Sequence, residues 1–295
     1  MASQPAPNLL QDQKLGILLL LLSILAFTLM DATAKYLAPR YDTVQIVWVR
    51  YTVNLLIVLA LVGRGLPRVL RSNAPLVQAL RGLAQLASVM LFFASLAYIG
   101  LAEATAIMDT NPVLITLFAA LFLGERIGPR RIMGIGAALV GALIIIRPGS
   151  GVFHPAALLP LIGAFTFAAG AILTRLARVD GTMTSILWTA MIGAGLTSAA
   201  VPFFWTPVAA GDLWAFALVG MLGTLSQVLL IRAFALAEAG MIAPFVYTGL
   251  LWASLWGWLF WGVLPDRWTV MGALIIAGAG LYVWTREARA MKGQE

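Results

Sequence analysis

Asp109 sits eight residues into an apolar run that begins near Leu101, and Asn111-Pro112 follows it at once. At 1.5 Å per residue that places the carboxylate about 12 Å along a helix axis. An ionised group in the middle of a bilayer costs about 2.5–3.5 kcal/mol on insertion scales, so it must face a protein interior or a wet cavity. Pro112 lacks a backbone donor and clashes with the preceding turn, which frees carbonyl groups beside Asp109. A broken helix carrying a carboxylate and an amide can line a polar cavity. Asp109 and Asn111 then either hold a substrate ammonium group or a coupling proton, or pair with an arginine that keeps helices in register.

Arg81, Gln85 and Ser88 follow i, i+4, i+7 spacing and share one helix face. A guanidinium there either meets a substrate carboxylate through its planar fork, or snorkels and bonds carbonyls at a helix end. Asp31 and Lys35 are one turn apart near the end of the first apolar run, and Arg50 lies near the start of the second. They form either an outer gate or an interfacial salt bridge. Arg232 is expected to pair with Glu238, and Glu103 and Glu125 read as solvated residues at span ends. Phe27, Tyr98, Phe165, Tyr247 and Trp252 are the aromatics expected to wall a cavity, against the alternative of plain packing. Such a cavity, apolar with a few polar fixtures, suits a compact amphipathic solute.

These side chains are placed by long apolar runs. The chain has 295 residues, 61% hydrophobic and 11% charged, with a mean hydropathy of +0.95. Soluble chains carry about 25% charged residues, so an all-α integral membrane protein is expected. Helices are predicted over 15–37, 43–62, 75–99, 101–123, 129–147, 156–175, 182–201, 211–234, 239–263 and 267–285, ten spans between short polar tails. There is no cysteine and one histidine, His154, in a loop. No phosphate-binding G-x-x-x-x-G-K-[ST] loop, G-x-S-x-G elbow or H-E-x-x-H motif occurs. The expectation is therefore no enzyme, no cofactor, no metal and no ATPase engine. The net charge of +7 sits at span ends and does not point to nucleic acid.

The runs repeat. Ala26-Phe27-Thr28 recurs as Ala164-Phe165-Thr166, an offset of 138 that also pairs Gly82 with Gly220, Ser88 with Ser226, Gly124 with Gly262 and Met133-Gly134 with Met271-Gly272. The repeat divides the chain into a tail to residue 14, one unit over 15–149, a second over 150–285 and a final tail. Five spans per unit is an odd number, so the second unit must enter the bilayer from the opposite side. Two inverted repeats with interrupted helices at matching positions are a transporter scaffold with a site at their interface. At the same offset Tyr247 matches Asp109, and Pro244 breaks the ninth span. Lys14, Arg64, Arg68, Arg71, Arg126, Arg130, Arg131, Arg175, Arg178, Arg286, Arg289 and Lys292 then share one side. Lys35, Arg40, Arg147 and Arg267 occupy the other, which predicts both termini in the cytoplasm. Lys14, an apolar run and Ala32-Thr33-Ala34 imitate a secretory signal, but the repeat of Ala26-Phe27-Thr28 assigns this helix to the folded unit. Gly134, Ala138 and Ala142, like Ala273 and Ala277, form small-residue faces for close helix approach, within a scaffold or across a homodimer.

Asn111-Pro112, the run from Leu117 to Leu123 closed by Gly124-Glu125, the helix opening at Met133-Gly134-Ile135-Gly136 and closing at Arg147-Pro148-Gly149, and Arg81-Gly82 together resemble the ten-helix EamA-type branch of the drug/metabolite transporter superfamily. The resemblance covers nearly the whole chain. Gly262-Val263 departs from it where a second Gly-Glu would stand. It implies a secondary transporter of the inner membrane working by alternating access on small metabolites. The wealth of Trp and Phe is similar to exporters of aromatic and other neutral amino acids.

Overall fold

The computed structural model describes residues 9–124, 129–147, 154–236 and 243–292. Among them there are helices and turns and no β-strand. The helices are α1 (Leu9–Leu37), α2 (Thr43–Val62), a short α3 (Leu66–Leu70), α4 (Pro75–Leu96), α5 (Leu101–Met108), α6 (Asn111–Leu123), α7 (Pro129–Ile146), α8 (Leu158–Leu176), α9 (Thr182–Ala200), α10 (Leu213–Leu236), α11 (Thr248–Trp261) and α12 (Arg267–Lys292). Seven helical segments are long and apolar enough to cross a membrane, with α5 and α6 together forming one of them, Leu101–Leu123. Two further apolar helices, Ile132–Ile146 and Arg267–Tyr282, are shorter. Of the ten spans expected from sequence, seven meet that length and apolarity among the described residues. The ninth expected span enters as a 3-10 turn, Ala243–Tyr247, before the 14-residue α11.

Local chemistry sets the ends. Asp42 caps α2 by accepting from the Val44 N–H at 2.8 Å. Pro75 opens α4 where a missing N–H costs nothing. Gly124 ends α6 and Gly262 ends α11, at φ 70° and 67°, a left-handed conformation that glycine adopts without steric cost.

The break between α5 and α6 has an identifiable cause. Pro112 cannot donate to the Met108 carbonyl one turn back. The Asn111 side-chain amide donates to that oxygen instead, at 2.9 Å. Thr110 Oγ1 donates to the Ile107 carbonyl at 2.8 Å. At the 138 offset, Thr248 Oγ1 donates to the Phe245 carbonyl at 2.6 Å.

Packing follows the repeat. The helix α1 packs on α10, and its counterpart α8 packs on α4; α2 meets α10 as α9 meets α4; α11 lies on α1 as α6 lies on α8. The remaining large contacts join counterparts to each other, α2 to α9 and α7 to α12. Lipid tails give apolar helices no reason to associate, so close backbone approach decides these contacts. A Cβ at Gly82 would lie 2.6 Å from Ile192, and one at Gly220 2.6 Å from Val53. Where α7 crosses α12, a Cβ at Gly141 would come to 2.8 Å from the Gly272 carbonyl. Ala138, Ala142 and Ala273 are buried at or near that crossing, so this small-residue stripe is used within the chain.

Side-chain ties show which loops share a face. On one face Asp212 is buried and accepts from Tyr41 at 2.8 Å and Tyr36 at 3.1 Å, with Arg40 at 3.0 Å. Gln45 exchanges two hydrogen bonds with Thr206, at 2.9 and 3.0 Å, and Arg147 pairs with Asp266 at 2.7 Å. On the opposite face Asp180 accepts from Ser72, from the Asn73 N–H at 2.7 Å and from Gln78 at 2.9 Å. We name these the Arg40 face and the Asp180 face.

Candidate functional site

Between the faces lies a cavity of about 390 Å³. Its walls come from α1, α2, α4, α5, α6, α8, α9, α10 and the stretch entering α11. No described residue of α7 or α12 lines it, and this pair stands outside as a brace. Ile24, Phe27, Met30, Val89, Phe92, Phe93, Met108 and Phe167 make it apolar.

Four charged side chains line this space: Asp31, Arg50, Arg81 and Asp109. None of them has an ion-pair partner within 4 Å among the described residues. The guanidinium of Arg50 rests 5.4 Å from the Phe93 ring centroid and 5.7 Å from that of Tyr51, a cation–π setting. Neutral oxygens hold Arg81: Thr174 Oγ1 at 2.8 Å, the Ser185 carbonyl at 2.7 Å, Thr189 Oγ1 at 2.7 Å and Gln78 Oε1 at 3.4 Å. Among the described residues only Nε and one terminal nitrogen are used, so the second terminal nitrogen keeps its donors. The Asp31 and Asp109 carboxyl groups make no hydrogen bond among the described residues. Buried polar groups are normally satisfied, so the two carboxyl groups and the remaining guanidinium donors around one cavity leave both acceptors and donors to a guest.

Phe27, Asp31, Arg50, Arg81, Gln85, Asp109 and Asn111 are brought together here. Lys35, Tyr98, Phe165, Tyr247 and Trp252 are not. Trp252 is turned to Leu20 and Ile24 at the α1–α10 contact and stacks on Trp256 at 6.1 Å. Phe165 packs on Phe118 at 6.1 Å, and Phe167, two residues on, is the ring that faces the cavity. Tyr247 points its hydroxyl at Gly280, buried and without a hydrogen-bond partner among the described residues. Tyr98 is 64% exposed and stacks on His154 at 5.1 Å. Period and offset place these rings on helices but not on a face, because helix rotation is set by packing.

Lys35 also leaves the expected cluster. Its ammonium donates to the Leu96 and Ile99 carbonyls at 2.8 and 2.7 Å. Glu103, read as solvated, is instead half-buried in a pocket with Lys35. Arg232 is exposed, and its expected partner Glu238 lies outside the described residues, as does Glu125. Cavity residues not singled out from sequence include Asn54, Tyr51 and Thr189. Asn54 donates to Gln227 at 3.1 Å; an amide in mid-span of α2 was the available signal. No group of three or more His, Cys, Asp or Glu that could hold a metal ion occurs among the described residues.

The EamA-like transporter family matches residues 14–147. The riboflavin transporter of Rhizobium johnstonii is 31% identical over 281 residues, covering 93% of this chain and 92% of that protein. The pseudopaline exporter CntI of Pseudomonas aeruginosa (strain UCBPP-PA14) is 30% identical over 274 residues, 90% of this chain and 94% of its own length. This chain belongs to the EamA-type branch of the drug/metabolite transporter superfamily. An S-adenosylmethionine uptake transporter of Rickettsia bellii is similar at 27% identity, over 96% and 97% of the two chains. One solved crystal structure shares the fold at a TM-score of 0.63 and 19% identity, over 95% of this chain and 98% of the other. Family membership makes this a multi-pass membrane transporter of small metabolites, not an enzyme. The relatives bear exporter and uptake names alike, so the family fixes neither the direction nor an amino acid as the solute.

Proposed function

We propose that this EamA-type chain is a secondary transporter of the bacterial inner membrane, with ten spans in two inverted five-helix units and both termini in the cytoplasm. The units rock about the shared cavity and expose it to each side in turn. The solute is a small dipolar metabolite with a flat apolar part, and neutral or aromatic amino acids leaving the cell are the simplest members of that class. One observation carries the reading: Asp31, Arg50, Arg81 and Asp109 meet in one cavity with no ion pair among them. A purely structural cluster would neutralise itself, since unpaired charges in low dielectric are costly. Asp109 or Asp31 receives the ammonium group, Arg81 or Arg50 the carboxylate, and Phe27, Phe92 and Phe93 the apolar part. The matching helix contacts on either side of the 138 offset and the paired breaks at Thr110 and Thr248 support the two-unit arrangement. The larger solutes named for the relatives favour a second reading, a bulkier metabolite, for which a cavity of about 390 Å³ has room.

The test is counterflow in liposomes holding the purified chain alone, with a labelled amino-acid panel and larger metabolites, with and without a pH gradient. Asp109→Ala is expected to insert and fold yet carry nothing. Parental flux from that variant removes Asp109 from the site. Absence of counterflow for every solute tried favours a non-transporting scaffold.

A further inference from the structure

A second cavity of about 440 Å³ opens on the Arg40 face. It shares no lining residue with the central one, yet the same helices serve both. On α1, Asp31 lines the central cavity and Lys35 the outer one. On α4 and the turn after it, Phe93 is central and Ala97 outer. On α5, Thr105 is central and Glu103 outer. A separation of two to four residues is about 3–6 Å of helix rise, so the cavities are stacked with a partition about one turn thick. Lys35 crosses that partition, fixed to the Leu96 and Ile99 carbonyls. It lies 5.8 Å from the centroid of Trp261, which lines the outer cavity.

The chemistry of the outer cavity is mixed. Arg147 and Asp266 neutralise each other at 2.7 Å. Glu103 stands half-buried in the same wall; Arg147 and Lys35 are the cations whose charge reaches its carboxylate, but it has no ion-pair partner within 4 Å among the described residues. A carboxylate with no ion-pair partner, beside the exposed Tyr98 ring and the half-buried Trp261 ring, is the chemistry that takes an ammonium ion attached to an apolar body. The geometry points to this vestibule as a second binding station, for an ammonium-bearing solute. Glu103 receives the charge, Trp261 the apolar part, and Lys35 bars passage to the central cavity. Calling its guest a transported solute rests on the transporter reading; the station itself does not.

The chain has no cysteine, so single cysteines report without background. Leu264→Cys marks the vestibule and Val89→Cys the central cavity. Both are exposed, in sealed vesicles of either orientation, to an impermeant cationic methanethiosulfonate and its neutral hydroxyethyl analogue. The side on which Leu264→Cys reacts defines the vestibule face without assuming a topology. Tyramine is expected to slow its labelling, and the uncharged tyrosol much less. With Glu103→Gln the ratio of cationic to neutral labelling falls about fivefold, the weight of one charge at about 4 Å in a wet dielectric, and tyramine protection goes with it. From the same side Val89→Cys reacts slowly, Lys35→Met speeds it several-fold, and Lys35→Arg, which keeps donors for both carbonyls, leaves it slow. Equal protection by tyramine and tyrosol, or a labelling ratio indifferent to Glu103→Gln, overturns the station. Labelling of Val89→Cys that ignores Lys35→Met overturns the barrier. None of these readouts uses flux, so a failure of the transporter reading and a failure of this one are separately visible.

Discussion

Replacing Arg81 by methionine separates a binding arginine from a structural one. The parent guanidinium gives three good hydrogen bonds, to Thr174 Oγ1, Thr189 Oγ1 and the Ser185 carbonyl. None of these partners is orphaned when it goes. Thr174 Oγ1 already donates to the Gly170 carbonyl at 2.8 Å, and Thr189 Oγ1 to the Ser185 carbonyl at 3.0 Å, which therefore also keeps a donor. The loss is three charge-assisted bonds, against relief from holding a buried cation with no carboxylate beside it. Exchanging a buried ion pair for apolar side chains of similar size is often neutral or stabilising, and a lone buried cation carries the same desolvation cost with no carboxylate to repay it. A net change within about 1 kcal/mol is expected, or about 2–4 °C in the melting temperature of a chain this large. A solute carboxylate that loses two hydrogen bonds to a charged donor forfeits about 3 kcal/mol or more, which is about a hundredfold in apparent affinity. The assay pairs thermal unfolding of the solubilised protein, followed by loss of the monodisperse peak, with counterflow of a dipolar solute. A melting temperature lowered by about 10 °C or more, with transport at parental affinity, refutes the reasoning and makes Arg81 a structural clamp.

Three further outcomes are expected. Partial burial pushes the Asp180 carboxyl up, but hydrogen bonds from Ser72, Gln78 and Asn73 outweigh it and hold the group at about 2, below its ordinary value. A depressed carboxyl stabilises the fold above its unfolded pKa, so the Asp180 contribution is complete above about pH 4 and fades as the pH falls toward 2. Acid titration of the melting temperature should show a drop in that window that Asp180→Asn lacks. Asn111→Ala leaves the Met108 carbonyl beside Pro112 without its donor, which costs about 1–3 kcal/mol for a buried acceptor; an unchanged melting temperature would mean that the oxygen finds another partner. Gly272→Val drives a side chain into the Gly141 carbonyl, 2.5 Å from where its Cβ would stand, and overpacking of this kind costs about 1–3 kcal/mol. Val at Gly278, which has nothing within 4 Å, should be tolerated, and equal loss of folded protein from both variants would deny that the α7–α12 contact is the reason.

Much of the fold was legible because a bilayer allows few ways to hide a peptide group, so apolar runs become helices. The expected bounds of the second span, 43–62, coincide with α2 (Thr43–Val62), and 182–201 differs from α9 (Thr182–Ala200) by one residue. The interruption after Asp109 followed from Pro112, because a missing N–H is a property of the residue and not of its surroundings. Asp31, Arg50, Arg81 and Asp109 could be nominated because charge in an apolar run is costly wherever the run lies.

What the chain by itself determined is where helices run, where they break and which residues are too polar to face lipid. Tertiary structure alone decided which of those residues meet. Phe27 faces the central cavity while its repeat counterpart Phe165 packs on Phe118, although both stand in the same Ala-Phe-Thr triplet. Lys35, one turn from Asp31, reaches into a different cavity because the Leu96 carbonyl at the end of α4 and the Ile99 carbonyl in the turn after it lie within its span. Periodicity fixes a residue's angle about its own helix axis, but the rotation and depth of that helix against its neighbours come from contacts such as Gly82 on Ile192 and Gly220 on Val53. Those contacts join residues more than a hundred positions apart, and no local pattern records them.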